Sequence, residues 1–396
     1  MRTSIDFIRN RLFPLGIPLA WRQLTSERKR FMVALAGVAF GVLLMMFELG
    51  MYAGLLEKVA RPLRLLTGDV VIISKNMDNF YVGDLFTERR LYQALASEDV
   101  ESVAPVYIDF TTWKHPVTGV KIRLCAFGID PVRPAFIIPD SERGLEVLKQ
   151  EEYLLFDSLA PRRFGPVREL FQEYSEVETM LGGRRIRVKG FFPMGQTFSA
   201  DTNVLMGERA FHRIFDHRPA GMINCGVVRL KPGVDPARAA ARLGGILPDD
   251  VRVVTREDFI NDEQTYWARK TPIGFIFSSG VILAMIVGSV IVYQILYADV
   301  NDHLKEYATL KAIGIGDRFL LRLILEEATI LSALGFIPGT ILTWVLYYIT
   351  RAKADMPVTF TFGRTLFVLF LTFSMCMLAG ILATRKLRSA DPADIF

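Results

Sequence analysis

Four long stretches without a charged residue interrupt the chain. Residues 31–47 give 17 such positions, and Glu48 is followed by eight more; 271–298 give 28, 328–350 give 23 and 365–384 give 20. A bilayer hydrocarbon core of about 30 Å needs about 20 apolar residues at about 1.5 Å each. The pattern therefore predicts transmembrane helices at 31–54, 271–298, 328–350 and 365–384. Glu48 falls about 26 Å along the first of them. There, near the far interface, a carboxylate can reach water; the alternative is an intramembrane functional acid. A cleaved signal peptide fits the first stretch poorly, because thirty residues precede it and no small-x-small site ends it.

Between the first and second stretches the pattern shortens to the periods of a globular domain. Strands are predicted at 69–74, 106–113, 121–127, 225–230 and 251–255, and helices at 91–99 and 236–247. The strands at 106–113 and 121–127 form a hairpin turned between Pro116 and Gly119. A β-α-β arrangement at each end of the block suggests one split sheet, with a subdomain inserted at about 131–220. The fold class expected is an α+β membrane protein: four transmembrane helices, with a large extracytoplasmic α/β domain (55–270) inserted between helices 1 and 2.

Composition sharpens this picture. Hydrophobic residues make up 51% and charged residues 22%, with a mean hydropathy of +0.29. Combined with their segregation, these values exclude an ordinary cytosolic enzyme, a disordered chain and a disulfide-rich miniprotein. Residues 1–30 carry seven Lys/Arg against two acids, and Arg385, Lys386 and Arg388 follow the last stretch. Both termini are thus expected in the cytoplasm, as an arm (1–30) and a tail (385–396), with 299–327 a cytoplasmic loop and 351–364 a short external one. In the arm, Ile5, Ile8 and Leu12 among Arg2, Arg9 and Arg11 suit a helix at the inner headgroup layer, the alternative being a basic tail. Block 55–270 holds 30 basic and 30 acidic residues, so no nucleic-acid partner is expected. Its alternating run Arg184, Arg185, Arg187 and Lys189 reads as a solvated strand face.

Candidate chemistry is sparse. No G-x-S-x-G or H-E-x-x-H pattern occurs, and His212 and His217 are poorly spaced for one metal, so no catalytic or metal residues are assigned. Cys125 and Cys225 lie on the external side, where a disulfide is allowed, but their apolar strand-like settings favour buried thiols. The pattern G-x-x-x-x-G-K-[ST] is absent. No bound cofactor is expected, and any ATP used would be hydrolysed by another polypeptide. Small residues at four-residue spacing, Gly37 and Gly41, Gly280 with Ala284 and Gly288, and Gly335 with Gly339, permit close helix packing in the membrane. Glu48 is the one ionisable residue within the four stretches, which argues against an ion-coupled transporter.

The loop 299–327 carries the sharpest motif. Over 301–316 it runs NDHLKEYATLKAIGIG, and Glu327-Ala328 opens the third stretch. Glu306, Tyr307, Leu310, Lys311, Ala312 and Gly314 are in register with the loop of the FtsX/MacB-type (type VII) ABC transporter permeases, which this segment resembles. His303 stands where that family often has Arg. The opening 19–24, LAWRQL, and the closing 389–396, SADPADIF, are similar to the DevC branch. The resemblance implies a non-catalytic, homodimeric permease of the bacterial inner membrane with a MacB-like periplasmic domain. It implies a separate DevA-like ATPase and a DevB-like membrane-fusion adaptor, with an outer-membrane TolC-like channel as a further candidate partner. The implied activity is ATP-driven export of a glycolipid or other amphiphile by mechanotransmission. An FtsX-like role, activating an external hydrolase, is the alternative, and an anchored enzyme a third reading that the missing catalytic constellation disfavours. A helix at 305–313 would turn Leu310 and Ile313 towards a groove on the ATPase, with Glu306 and Lys311 at the rim and Gly314 ending it. A plain helix–turn connector is the other reading. The expected coupling residues are therefore Glu306, Tyr307, Leu310, Lys311, Ile313 and Gly314.

Overall fold

The computed structural model describes residues 20–21, 24–25, 27–81, 83–138, 141–304, 307, 309, 313, 317–354 and 356–389. Most of the N-terminal arm and the end of the C-terminal tail lie outside them. The chain divides into two compact units, Met1–Gly54 with Pro272–Phe396, and Leu55–Thr271.

Helix α1 (Arg28–Arg64) is unbroken over 37 residues. At about 1.5 Å per residue it is about 55 Å long, well beyond the hydrocarbon thickness. It closes in a tightened turn, where the Leu65 and Leu66 amides bond back only three residues, to the Pro62 and Leu63 carbonyls. Its last turns belong to the sheet unit, where Ala60, Leu63 and Leu66 enter a core. Lys58 Nζ donates to Gln196 Oε1 at 2.8 Å, and Gln264 Nε2 donates to the Leu56 carbonyl at 3.2 Å.

Strand β1 (Val70–Ser74) shows why the sheet is covered on both faces. Its Val-Val-Ile-Ile run has no polar alternation, and Val70 and Ile72 enter one core while Val71 and Ile73 enter the other. The sheet unit continues with β2 (Phe86–Thr87), α2 (Arg89–Leu95), β3 (Val100–Lys114), β4 (Lys121–Ile129), α3 (Ser141–Leu148), β5 (Tyr153–Asp157), α4 (Val167–Tyr174), β6 (Val177–Leu181), β7 (Arg184–Phe192) and β8 (Asn203–Gly207). It ends with α5 (Glu208–Ile214), β9 (Met222–Ile223), β10 (Cys225–Leu230), α6 (Pro236–Ile246), β11 (Val251–Thr255) and α7 (Arg256–Thr265). The start of α6 is fixed by Asp235, whose side chain accepts the Arg238 amide with Pro236 next in sequence; Thr255 caps α7 in the same way.

Nine strands form one sheet in the order β11-β1-β10-β3-β4-β8-β5-β7-β6. Beyond the β10 edge, β3 also meets β6 at Trp113 and Leu181, so β3-β4-β8-β5-β7-β6 curl into a ring. The Trp113 indole inside it donates to the Phe164 carbonyl at 2.9 Å and packs 4.7 Å from the Phe156 ring. Residues 131–220, expected as an inserted subdomain, thus supply four strands to the same sheet. Strand β3 begins six residues before the predicted position because residues 100–105 pair with β10. The basic run of β7 is matched across the ladder: Arg185 lies 2.6 Å from Glu178 and Lys189 3.3 Å from Glu176.

All three cysteines are free and buried. Cys225 pairs with Val106 and Cys125 with Phe110, on opposite sides of β3. Those positions lie four residues apart, about 13 Å along the strand, too far for a disulfide between them.

The second unit resumes at Pro272 with α8 (Pro272–Asp302), α9 (Asp317–Ala354) and α10 (Phe362–Ser389). With α1, these are four helices long and apolar enough to cross a membrane. They meet at the small residues. A methyl on Gly339 would lie 2.7 Å from the Ala39 carbonyl oxygen, and one on Gly335 2.6 Å from Val38 Cβ. Gly41 faces the Gly288 Cα, Gly288 receives the Met375 sulfur, Gly37 receives Ile291, and Ala284 is buried. Such backbone approach supplies the dispersion contact that holds helices together in lipid. Gly280 receives the Glu48 carboxyl group, which is half-buried against α8.

Between α7 and α8 the chain makes a π turn, Tyr266–Lys270. Glu263 anchors it: one carboxylate oxygen accepts the Trp267 indole N–H at 2.9 Å, the other the Phe80 amide at 2.8 Å. Burial pushes this carboxyl up to about 7 from an ordinary 4.5. Because the folded value exceeds the unfolded one, ionisation opposes the fold. The contribution of Glu263 is greatest below about pH 4.5 and falls by on the order of 3 kcal/mol as pH rises to about 7. Glu263→Gln should therefore narrow the gap between the thermal unfolding midpoints of the full chain at about pH 5 and about pH 7.5. An equal gap in both proteins would contradict this assignment.

Candidate functional site

The segment joining α8 to α9, with the helix ends that hold it, is the candidate site. Helical backbone spacing continues past α8: the His303 amide bonds to the Asp299 carbonyl at 3.1 Å, Tyr307 to His303 at 3.0 Å and Ile313 to Thr309 at 3.1 Å. Two of the six expected coupling residues are described. Tyr307 is 3% exposed and joins the helical core with Leu296, Val300, Leu323 and Ile324. Ile313 is 75% exposed, an apolar side chain with no cover of its own. Tyr307 thus anchors the segment inward while Ile313 is presented outward. Glu306, Leu310, Lys311 and Gly314 lie outside the described residues.

The charges around the segment are organised in pairs. Arg30 at the start of α1 bonds Asp302 at the end of α8 and lies 2.9 Å from Glu27. His303 Nε2 is 3.9 Å from Asp299. On α9, Arg322 meets Glu326 at 2.9 Å beside a groove of about 270 Å³ lined by Arg318, Leu321, Leu325 and Thr329 as well.

The sequence placed Glu327 at the start of the third stretch, beside the loop motif, and not within the buried part of a span. Helix α9 starts at Asp317, so the third span begins earlier than Ala328 and includes this carboxyl group. Glu48 is therefore not the only ionisable residue within the spans. The stretch was bounded at its last charge, whereas the helix and its buried face run on through it. Glu327 is 0% exposed, and neither of its oxygens has a hydrogen-bond partner among the described residues. The signal lay in the spacing: Leu323, Ile324, Glu327, Ala328 and Leu331 recur at three- and four-residue steps and are all buried. Glu326, one position round the helix, turns instead to Arg322.

In the sheet unit, His212 packs edge-on to Tyr107 at 5.0 Å and His217 lies 3.4 Å from Asp109. Among the described residues no three His, Cys, Asp or Glu side chains cluster as metal ligands.

The chain thus combines four helices long and apolar enough to cross a membrane with a sheet domain inserted after the first. Residues 278–392 match the FtsX-like permease C-terminal family. The chain is similar to an uncharacterized ABC transporter permease of Mycobacterium tuberculosis, 20% identical over 380 residues, covering 95% of this chain and 98% of that one. Another, of Mycobacterium bovis, is 21% identical over 383 residues with the same coverage. Among solved structures, the periplasmic region of MacB from Actinobacillus actinomycetemcomitans aligns with a TM-score of 0.36 at 12% identity, over 50% of this chain and 94% of that one.

Glu327 yields a direct test. An unpaired buried carboxyl group opposes folding, and an apolar side chain of similar length removes that cost. Glu327→Met should raise the thermal midpoint of the detergent-solubilised chain, by an amount corresponding to about 1–3 kcal/mol. A lowered midpoint would show that the carboxyl group has a stabilising partner.

Proposed function

We propose that this chain is the permease subunit of an ATP-driven exporter, in which loop 299–327 docks on a separate ATPase and a homodimer of the chain moves the periplasmic sheet domain. The observation that carries this reading is the FtsX-like match over 278–392, which contains the whole loop. Closure of the ATPase dimer on nucleotide displaces the loop and the attached ends of α8 and α9. Helix α1 then transmits the displacement, because its last turns are built into the sheet core through Ala60, Leu63 and Leu66. A continuous helix resists bending over that length far better than a loop would. Chemical work stays with the ATPase, since this sequence has no phosphate-cradling P-loop. Both termini lie in the cytoplasm of a bacterial inner-membrane protein, and a membrane-fusion adaptor receives the cargo, a glycolipid or related amphiphile, on the periplasmic side.

Leu310→Asp tests the coupling step. A carboxylate placed in an apolar contact costs several kcal/mol, enough to weaken binding by orders of magnitude. The variant should insert and express as wild type yet fail to retain the ATPase in a pull-down. Glu306→Ala should be milder, because a rim charge contributes about 1 kcal/mol or less. Full retention of the ATPase by Leu310→Asp would reduce the loop to a connector.

A further inference from the structure

The sheet unit contains a cation-lined cavity of about 550 Å³ between the turn after β1, strand β11 and the π turn. Lys75, Arg252, Arg269 and Lys270 line it against only two carboxylates, Asp78 and Asp262. Three of the cations have acidic neighbours: Arg252 lies 2.9 Å from Asp262, Lys270 3.5 Å from Asp78, and Lys75 2.6 Å from Asp249. Arg269 has no ion pair among the described residues and is exposed. The cavity therefore holds a surplus of positive charge and one uncommitted guanidinium, whose planar fork matches two oxygens of a phosphate group.

Its place in the chain suggests where such a phosphate would come from. Arg269 and Lys270 precede Pro272, the first residue of the span α8, by three and two positions. Tyr266 and Trp267 flank them, the residue types that settle at the headgroup layer. Outward apolar surface begins just beyond, with Phe275 77% exposed.

We propose that this cavity binds a phosphate group, and that the source is the headgroup of an anionic phospholipid in the leaflet the sheet domain faces. The site rests on reading α8 as a membrane span and is independent of the ATPase coupling. Cations at a membrane surface each contribute about fivefold to anionic-lipid affinity. The guanidinium of Arg269 and the ammonium of Lys270 clasp the phosphate, while Tyr266 and Trp267 keep the turn at the interface.

Native mass spectrometry of the detergent-solubilised full chain tests this, with phosphatidylglycerol, phosphatidylcholine and inorganic phosphate as probes. Wild type should retain phosphatidylglycerol over phosphatidylcholine. Arg269→Gln, an exposed position outside both cores, should lose about fivefold of that retention. Arg184→Gln, on the solvated face of β7, should leave it unchanged. Displacement of the lipid by millimolar inorganic phosphate, sensitive to Arg269→Gln, would support a phosphate site filled from solution. No displacement, with lipid retention still dependent on Arg269, identifies the headgroup. Equal retention of phosphatidylglycerol by wild type and Arg269→Gln, with no phosphate binding that depends on Arg269, would overturn the proposal.

Discussion

Hydrocarbon offers no hydrogen bonds, so any backbone that crosses it must satisfy its own amides. That constraint makes the spans of this chain helical and gives them their minimum length. It also leaves helix–helix association to close packing, since lipid tails are as apolar as leucine. The glycines of α1, α8 and α9 answer that demand: at Gly339 the facing backbone oxygen of Ala39 leaves no room for a methyl group. Helix α1 exceeds the minimum length, and its last turns belong to the sheet unit.

The sheet unit is organised by a different requirement. Its strands carry apolar residues on both faces, so each face must be covered, and two separate cores result. The chain enters this unit along α1 and leaves it through the π turn. Both passages are fixed by polar groups: the Leu56 carbonyl accepts from Gln264, and the Glu263 carboxylate holds Trp267 and Phe80.

The spans were legible in the sequence because hydropathy over about 20 residues is a strong signal. Strands β10 and β11 were equally plain, with turn residues bounding short β-branched runs. That residues 131–220 add strands to the same sheet was not legible, because the parallel pairing of β4 with β8 joins segments more than 70 residues apart, which local pattern does not encode. The burial of Glu327 was hidden for a related reason. Charge marks the end of an apolar stretch in sequence, but the buried face of a helix is set by its neighbours. The candidate coupling segment was visible as a motif, yet the inward role of Tyr307 follows only from the helices that pack around it.

Whether α1 carries motion between the units is best measured by fluorescence energy transfer, with one label at Tyr348 in α9 and one at Val120 in the β3–β4 turn. Both positions are exposed. The permease would be assembled with its ATPase, and transfer compared before and after ATP. The expected result is an ATP-dependent change that disappears when three glycines are inserted between Gly54 and Leu55, with the ATPase still bound. An unchanged signal in the uninterrupted protein, or an equal change in the glycine insertion, would contradict transmission through this helix.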